Sequence, residues 1–244
     1  MKNTTNIQKF ETIINLFEQT NNYISNTTIN ELQILAKEGQ DEQEYLTNIL
    51  IERIIIEEKN TTLLDGIIFN CLKNTTIKSI KSKLINFFPN GIVIFKSSGK
   101  INYQHLQKFL LNEDFKSADR ITHKYLCELI QLKEETSRNW LYFTDIQLLP
   151  EDDLLTIDLL WRIYSNDKFG FSVQRKIWSN NNYNWDQLWT KIGWLENGVM
   201  KRYPEEFNWT TDAPKGHLPL FNQLRGNKAL FYLFEHTVWR RIQH

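Results

Sequence analysis

Apolar residues recur at helical spacing through most of the chain, and the polar positions between them mark where each helix starts and stops. The first set is Ile7, Phe10, Ile13, Ile14 and Phe17, and the second is Leu32, Leu35 and Ala36. Tyr45, Leu46, Ile49, Leu50 and Ile54 follow, then Leu64, Ile67, Ile68 and Cys71, then Ile77, Ile80, Leu84, Phe87 and Phe88. Spacings of i, i+3, i+4 and i+7 give each set one buried stripe on an amphipathic helix. Asn-Thr-Thr stands at 3–5, 26–28, 60–62 and 74–76, each time just ahead of a helical period. Thr28 with Glu31, and Asp41 with Glu44, have the spacing of a capping box, and Gly39 suits the end of the second helix. The intervals between the Thr-Thr pairs are too irregular for a solenoid. The first half therefore reads as a small helical bundle.

Phe88-Pro89-Asn90-Gly91 breaks the pattern, and Lys96-Ser97-Ser98-Gly99-Lys100 is a polar loop. A boundary there gives two domains, 1–96 and 97–244. Helical spacing resumes with Tyr103, Leu106, Phe109 and Leu110, and again with Phe115, Ala118, Ile121, Tyr125, Leu126 and Leu129. A third helix runs over Leu154–Ser165, with Glu151, Asp152 and Asp153 placed to meet its N-terminal dipole. From Phe169 to Pro219 large rings alternate with Gly and Pro, from Phe169-Gly170-Phe171 to Gly216-His217-Leu218-Pro219. So many rings in a broken stretch cannot share one helical stripe. They are either core or the lining of a concavity for a flat, greasy ligand.

Composition sharpens this division. All eight Trp lie between Trp140 and Trp239, in a chain of 244 residues. Lys+Arg and Asp+Glu are 29 each, a neutral balance that argues against nucleic acid as partner. Residues 1–95 carry nine basic and eleven acidic groups, a sum of −2, leaving +2 for the remainder. The chain opens on an amphipathic stretch containing Glu11 and Glu18, so neither a secretory signal nor a transit peptide is expected. The five Asn-x-Thr sequons then carry no glycosylation meaning. Cys71 and Cys127 lack metal-type spacing and read as buried thiols. The acidic trio puts its carboxylates on different helix faces, and no intrinsic metal is expected. Phosphate-loop, dinucleotide, zinc-protease and nucleophile-elbow patterns are all missing, so no enzyme signature emerges.

Several words in the second half, in order from Ile101 to Trp239, carry a family resemblance. They are Ser117-Ala118-Asp119 with Thr122, Leu126-Cys127-Glu128-Leu129, Trp140-Leu141-Tyr142-Phe143-Thr144, and Ile157-Asp158 with Leu160-Trp161. Phe169-Gly170-Phe171-Ser172-Val173-Gln174-Arg175 is the most diagnostic. Lys191-Ile192-Gly193-Trp194, Ala213-Pro214, Gly216-His217-Leu218-Pro219 and Asn222-Gln223-Leu224-Arg225-Gly226 complete them. This part resembles the porphyrin-binding domain of the genomes-uncoupled family, the tetrapyrrole-binding regulators of magnesium chelatase in cyanobacteria and plastids. The first half resembles, more loosely, the bundle that precedes it in cyanobacterial members.

The resemblance implies an all-α protein in which the bundle precedes a domain shaped like a cupped hand. It implies protoporphyrin IX and magnesium-protoporphyrin IX as ligands, and the large porphyrin-binding subunit of magnesium chelatase as partner. The protein would be a non-enzymatic activator, a monomer able to associate peripherally with membranes. It would reside in a plastid stroma, as an AT-biased composition with four Ala also suggests, or in a cyanobacterial cytoplasm. A macrocycle with two propionates calls for an apolar cup with a cationic rim, and burial at about 25 cal/mol per Å² supplies the attraction. Arg225, matching a family Arg, and Lys228, where relatives often carry Arg, would hold the propionates. Asn222 would donate to a propionate or the ring. Phe143 and Ile146 fall at apolar cup positions, and Tyr203 stands where relatives tend to have Trp. Phe169, Phe171 and His217 belong to the same aromatic set, and His123 replaces a basic residue, making any contact there pH-dependent. Two rival readings remain: an interaction scaffold with incidental binding, linear tetrapyrroles included, and an enzyme acting on a tetrapyrrole.

Overall fold

A computed structural model describes residues 15, 17, 24–95, 101–134, 140–221 and 227–241. Among these, ten α-helices carry the fold. The first four are α1 (Asn26–Glu38), α2 (Gln40–Ile51), α3 (Leu63–Leu72) and α4 (Lys78–Phe87), with α2 running on into a π-helical turn over Glu52–Ile56. Then come α5 (Gln104–Leu111), α6 (Phe115–Glu134), α7 (Glu151–Tyr164), α8 (Phe171–Asn180), α9 (Trp185–Lys191) and α10 (Asn227–Phe234). Two 3-10 turns add to this set, Asp145–Leu148 between α6 and α7 and Thr237–Arg241 after α10. The helix read over Ile7–Phe17 lies outside the described residues.

The stripes are where periodicity puts them: Leu32, Leu35 and Ala36 of α1, Leu46 and Leu50 of α2, Ile67 and Ile68 of α3, and Ile80 and Leu84 of α4 are buried. Phe87 is the exception, facing out while Phe88 turns in. The caps differ from expectation in detail. Ser25, not Thr28, caps α1, its hydroxyl accepting from the Thr28 N–H at 3.0 Å. No side chain caps α2, whose Asp41 sits in the first turn as a dipole partner. The capping box forms at α3 instead: Thr62 accepts from the Asp65 N–H, and Asp65 from the Thr62 N–H. Asp65 is fully buried, and Arg53 meets its carboxylate at 2.9 Å. Helix α7 starts at Glu151, earlier than the apolar set suggests, because Pro150 occupies the position before it and the acidic trio fills the first turn. Among the described residues no group of His, Cys, Asp or Glu is arranged to hold a metal ion. Cys127 is buried and Cys71 half-buried, and neither is in a disulfide. None of the described helices is long and apolar enough to cross a membrane.

A two-residue hairpin, β1 (Leu195–Glu196) with β2 (Val199–Met200), was not anticipated by helical reading. Asn197 and Gly198 both have positive φ there, and Asn-Gly is the pair that tight hairpins favour.

The interior is continuous across the two halves. Helix α3 lies on α7, and the contact is close because residue 66 is Gly: a Cβ there would stand 2.6 Å from both γ-carbons of Ile163. Asn70 donates to the Ile163 carbonyl at 2.6 Å, and the Ile92 N–H donates to the Tyr164 hydroxyl at 3.1 Å. Helices α5 and α6 pack together, and α5 also lies on α7, while α8 carries α9 and α10.

Candidate functional site

The site begins with a short turn. The Tyr142 N–H donates to Asp145 Oδ2 at 2.8 Å, closing a turn that buries Leu141, Ile146 and Leu149. Phe143, between those anchors, is left 37% exposed. This turn packs against α10, whose Ala229, Leu230, Leu233 and Phe234 are buried and whose Lys228 and Phe231 face out. The Phe143 and Tyr232 rings are 5.3 Å apart with planes 31° from parallel. Phe231 meets Tyr232 edge-on at 5.7 Å and rests against Trp178 of α8 at 6.1 Å. Lys228 Nζ stands 5.6 Å from the Phe143 ring centre, within cation–π range. The product is an aromatic wall open to solvent, with an ammonium at its edge.

The expected site residues divide into three groups. Phe143 and Lys228 come together in this wall. Asn222 and Arg225 lie outside the described residues, in the stretch between Phe221 and Asn227 that leads into α10. The remaining six sit elsewhere. Ile146 is fully buried beneath the turn that presents Phe143. Phe169 is fully buried against Phe115 (5.4 Å) and Trp161 (6.5 Å), and Phe171 against Phe221 (5.8 Å). Gly170 explains this: its φ of 139° opens α8 in a conformation that favours glycine, and a Cβ would meet Asp158 Oδ1 and Arg162 at 2.9 Å. Tight packing at that corner carries both flanking rings inward.

His217 is also interior. One ring nitrogen accepts from the Asn208 N–H at 3.2 Å, so the other carries the proton and donates to the Ile192 carbonyl at 2.6 Å. Burial holds its pKa below the usual histidine range, leaving a neutral ring that braces two loops. Tyr203 is 40% exposed, but its ring partner is Trp209, on its own loop. His123 is half-buried on α6, 3.7 Å from the Cys127 sulfur. The residues that sequence reasoning missed are Phe231 and Tyr232. In Lys228-Ala-Leu-Phe-Tyr-Leu-Phe nearly every position is apolar, so periodicity could not tell the outer face from the inner.

A separate cleft of about 530 Å³ opens where Asn70 and Lys73 of α3 face Asn166–Lys168, Thr211 and Lys215. Its walls are polar, and none of the expected site residues lines it.

The fold and the site define a class: a mostly helical protein with a solvent-open aromatic wall between the turn at Phe143 and α10. A family model described as GUN4-like matches residues 96–237, and the chain belongs to that family. The chain is 40% identical over 227 residues to the ycf53 protein of Pyropia yezoensis, covering 92% of this chain and 95% of that one. It is 34% identical over 145 residues to the tetrapyrrole-binding protein, chloroplastic, of Arabidopsis thaliana, covering 55% and 54% of the two chains. Among solved structures, GUN4 from Chlamydomonas reinhardtii superposes with a TM-score of 0.53 at 36% identity, covering 60% of this chain and 95% of that one.

Proposed function

We propose that the protein binds protoporphyrin IX and magnesium-protoporphyrin IX without transforming them, and stimulates magnesium chelatase through its large porphyrin-binding subunit. The observation that carries the reading is the wall of Phe143, Tyr232 and Phe231 with Lys228 at its edge. Flat apolar rings suit a macrocycle face, and an ammonium in reach of that face suits a propionate. The tetrapyrrole-binding relative in Arabidopsis supports the ligand class. Arg225 and Asn222, just before α10 in sequence, are proposed as further propionate contacts. Tyr203 and His123 are proposed at the periphery of the same site. Ile146 lies beneath the turn that presents Phe143, and Phe169, Phe171 and His217 are proposed to contribute through the core packing of the domain, away from the wall. The start of the family match at residue 96 supports a porphyrin-binding domain over 97–244, preceded by a helical bundle. The chloroplastic relative supports a plastid stroma as the compartment, with a cyanobacterial cytoplasm as the alternative.

The test is a titration of the full chain with protoporphyrin IX, read as Trp fluorescence quenching and a Soret shift. Lys228→Ala and Arg225→Ala should each raise Kd by roughly 3–10-fold, the loss of one charge-assisted contact, with far-UV circular dichroism unchanged. Absence of quenching at micromolar porphyrin overturns the ligand. A magnesium chelatase assay with and without the protein decides the activator role: stimulation supports it, and an unchanged rate leaves a porphyrin carrier only.

A further inference from the structure

Two of the sequence words carry polar side chains that the aromatic wall does not use. Gln174 is fully buried, and its Nε2 donates to the carbonyls of Gly216 at 2.9 Å and Pro219 at 2.8 Å. Its Oε1 is buried with no hydrogen-bond partner, so the side chain works only as a donor. Asp119, reaching from α6, accepts the Leu220 N–H at 2.6 Å. Arg175 donates through Nε to the carbonyl of Phe234, the last residue of α10, at 2.7 Å. The Gly170 N–H adds a fourth tie, to the Leu218 carbonyl at 3.0 Å.

Every one of these bonds ends on main-chain atoms. They therefore fix where the chain runs, whatever side chains it carries. Segment 216–221 is tied to α8 and α6, and the C-terminal end of α10 is tied to α8. Helix α10 has eight residues, too few to hold its shape without outside support. A guanidinium on its last carbonyl satisfies an orphan acceptor and opposes the negative end of its dipole. Phe231 and Tyr232 lie within one turn of that cap.

We propose that Asp119, Gln174 and Arg175 are positioning residues of the tetrapyrrole site: they clasp segment 216–221 and the end of α10, and so set where Lys228, Phe231 and Tyr232 stand against Phe143. This rests on the tetrapyrrole reading of the wall. None of the three touches the ligand; each acts through backbone it holds.

The test uses the full chain, protoporphyrin IX as probe, and amide hydrogen exchange as a second readout that needs no ligand. Gln174→Met keeps the length and removes both donors, Arg175→Met keeps the stem and removes the guanidinium, and Asp119→Leu removes the acceptor. Each should raise Kd about tenfold, the order of one lost hydrogen bond to a charged or buried group, and speed exchange at Leu220 or in α10. Asp119→Asn, which retains an acceptor oxygen, should rescue both readouts. Unchanged Kd in folded Gln174→Met and Arg175→Met overturns the clasp, as does an equal loss in Asp119→Asn and Asp119→Leu. Where the buried Asp119→Leu fails to fold, half-exposed Arg175→Met decides. A wild-type chain that binds no porphyrin overturns the reading of the site and the ligand role of the clasp together. Wild-type binding with variants that match it overturns the clasp alone.

Discussion

Asp119 and His217 are interior groups whose titration pulls in opposite directions. Burial pushes the Asp119 carboxyl up from 3.8 to about 7, and the Leu220 N–H recovers only part of that. Between these values the folded chain keeps a proton that the unfolded chain has released. The contribution is therefore fully present below about pH 4 and is lost as pH rises through about 7. For His217, burial lowers the pKa from 6.5, so the unfolded chain takes up a proton that the folded one refuses. Its contribution is present above pH 6.5 and is lost on acidification. Asp119→Asn should thus flatten the decline in stability between about pH 4 and pH 7, by an amount on the order of 4 kcal/mol, leaving the acid limb of His217 in place. Thermal melts across that range check it, and parallel profiles for variant and wild type would refute it. Single residues were also where sequence reasoning was least secure. Phe143 read as an apolar cup position only through the family resemblance, and it stands at the surface, whereas Ile146, read the same way, is buried. Phe169, Phe171 and His217 read as ligand-facing because rings beside Gly suggest a loop, yet the positive φ at Gly170 turns its neighbours into the core.

At the scale of elements, helical spacing carried most of the fold. Leu46 with Leu50, Leu106 with Leu110, and Leu154, Ile157 and Trp161 are buried where their periods require. Contacts between elements were not legible, because they depend on which surfaces meet. Gly66 illustrates this. A glycine inside a helix weakens it by roughly 1 kcal/mol relative to Ala, which on sequence alone is a defect. In the fold it is the point where α3 closes onto α7, with Ile163 directly opposite. Gly66→Ala should therefore destabilise despite its better helix propensity, by about 1–3 kcal/mol for an overpacked contact. Ile163→Ala in the same chain should recover part of the loss by removing both γ-carbons that the new Cβ would strike, a coupling that a double-mutant cycle reads. Additive losses would mean that the two residues do not compete for the same space. The clasp at Asp119, Gln174 and Arg175 was hidden for the same reason: its receiving groups are carbonyls and an amide, which every residue type presents alike.

On the scale of the whole molecule, the Trp-free first half and the Trp-rich second half invite a picture of two independent units. The packing opposes it. Buried apolar residues form one cluster from Ile29 to Trp239, and Gly66, Asn70 and Ile92 meet Ile163 and Tyr164 across the seam. Shared interior of this kind couples unfolding, because removing one face exposes the apolar surface of the other. The full chain should therefore melt in a single calorimetric transition. Deleting residues 1–96 uncovers Ile163 and removes the Ile92 N–H from the Tyr164 hydroxyl, so 97–244 should melt several degrees lower, a shift that corresponds to a few kcal/mol in a domain of this size. Yet no residue of the aromatic wall comes from the first half: Phe143, Lys228, Phe231 and Tyr232 all lie beyond residue 140. Protoporphyrin IX affinity, measured well below the lower melting temperature, should therefore change less than threefold on truncation, an energetic difference under about 0.7 kcal/mol. Two separate melting transitions in the full chain would refute the shared interior. A large loss of affinity in folded 97–244 would instead place part of the site, or of its support, in the first half.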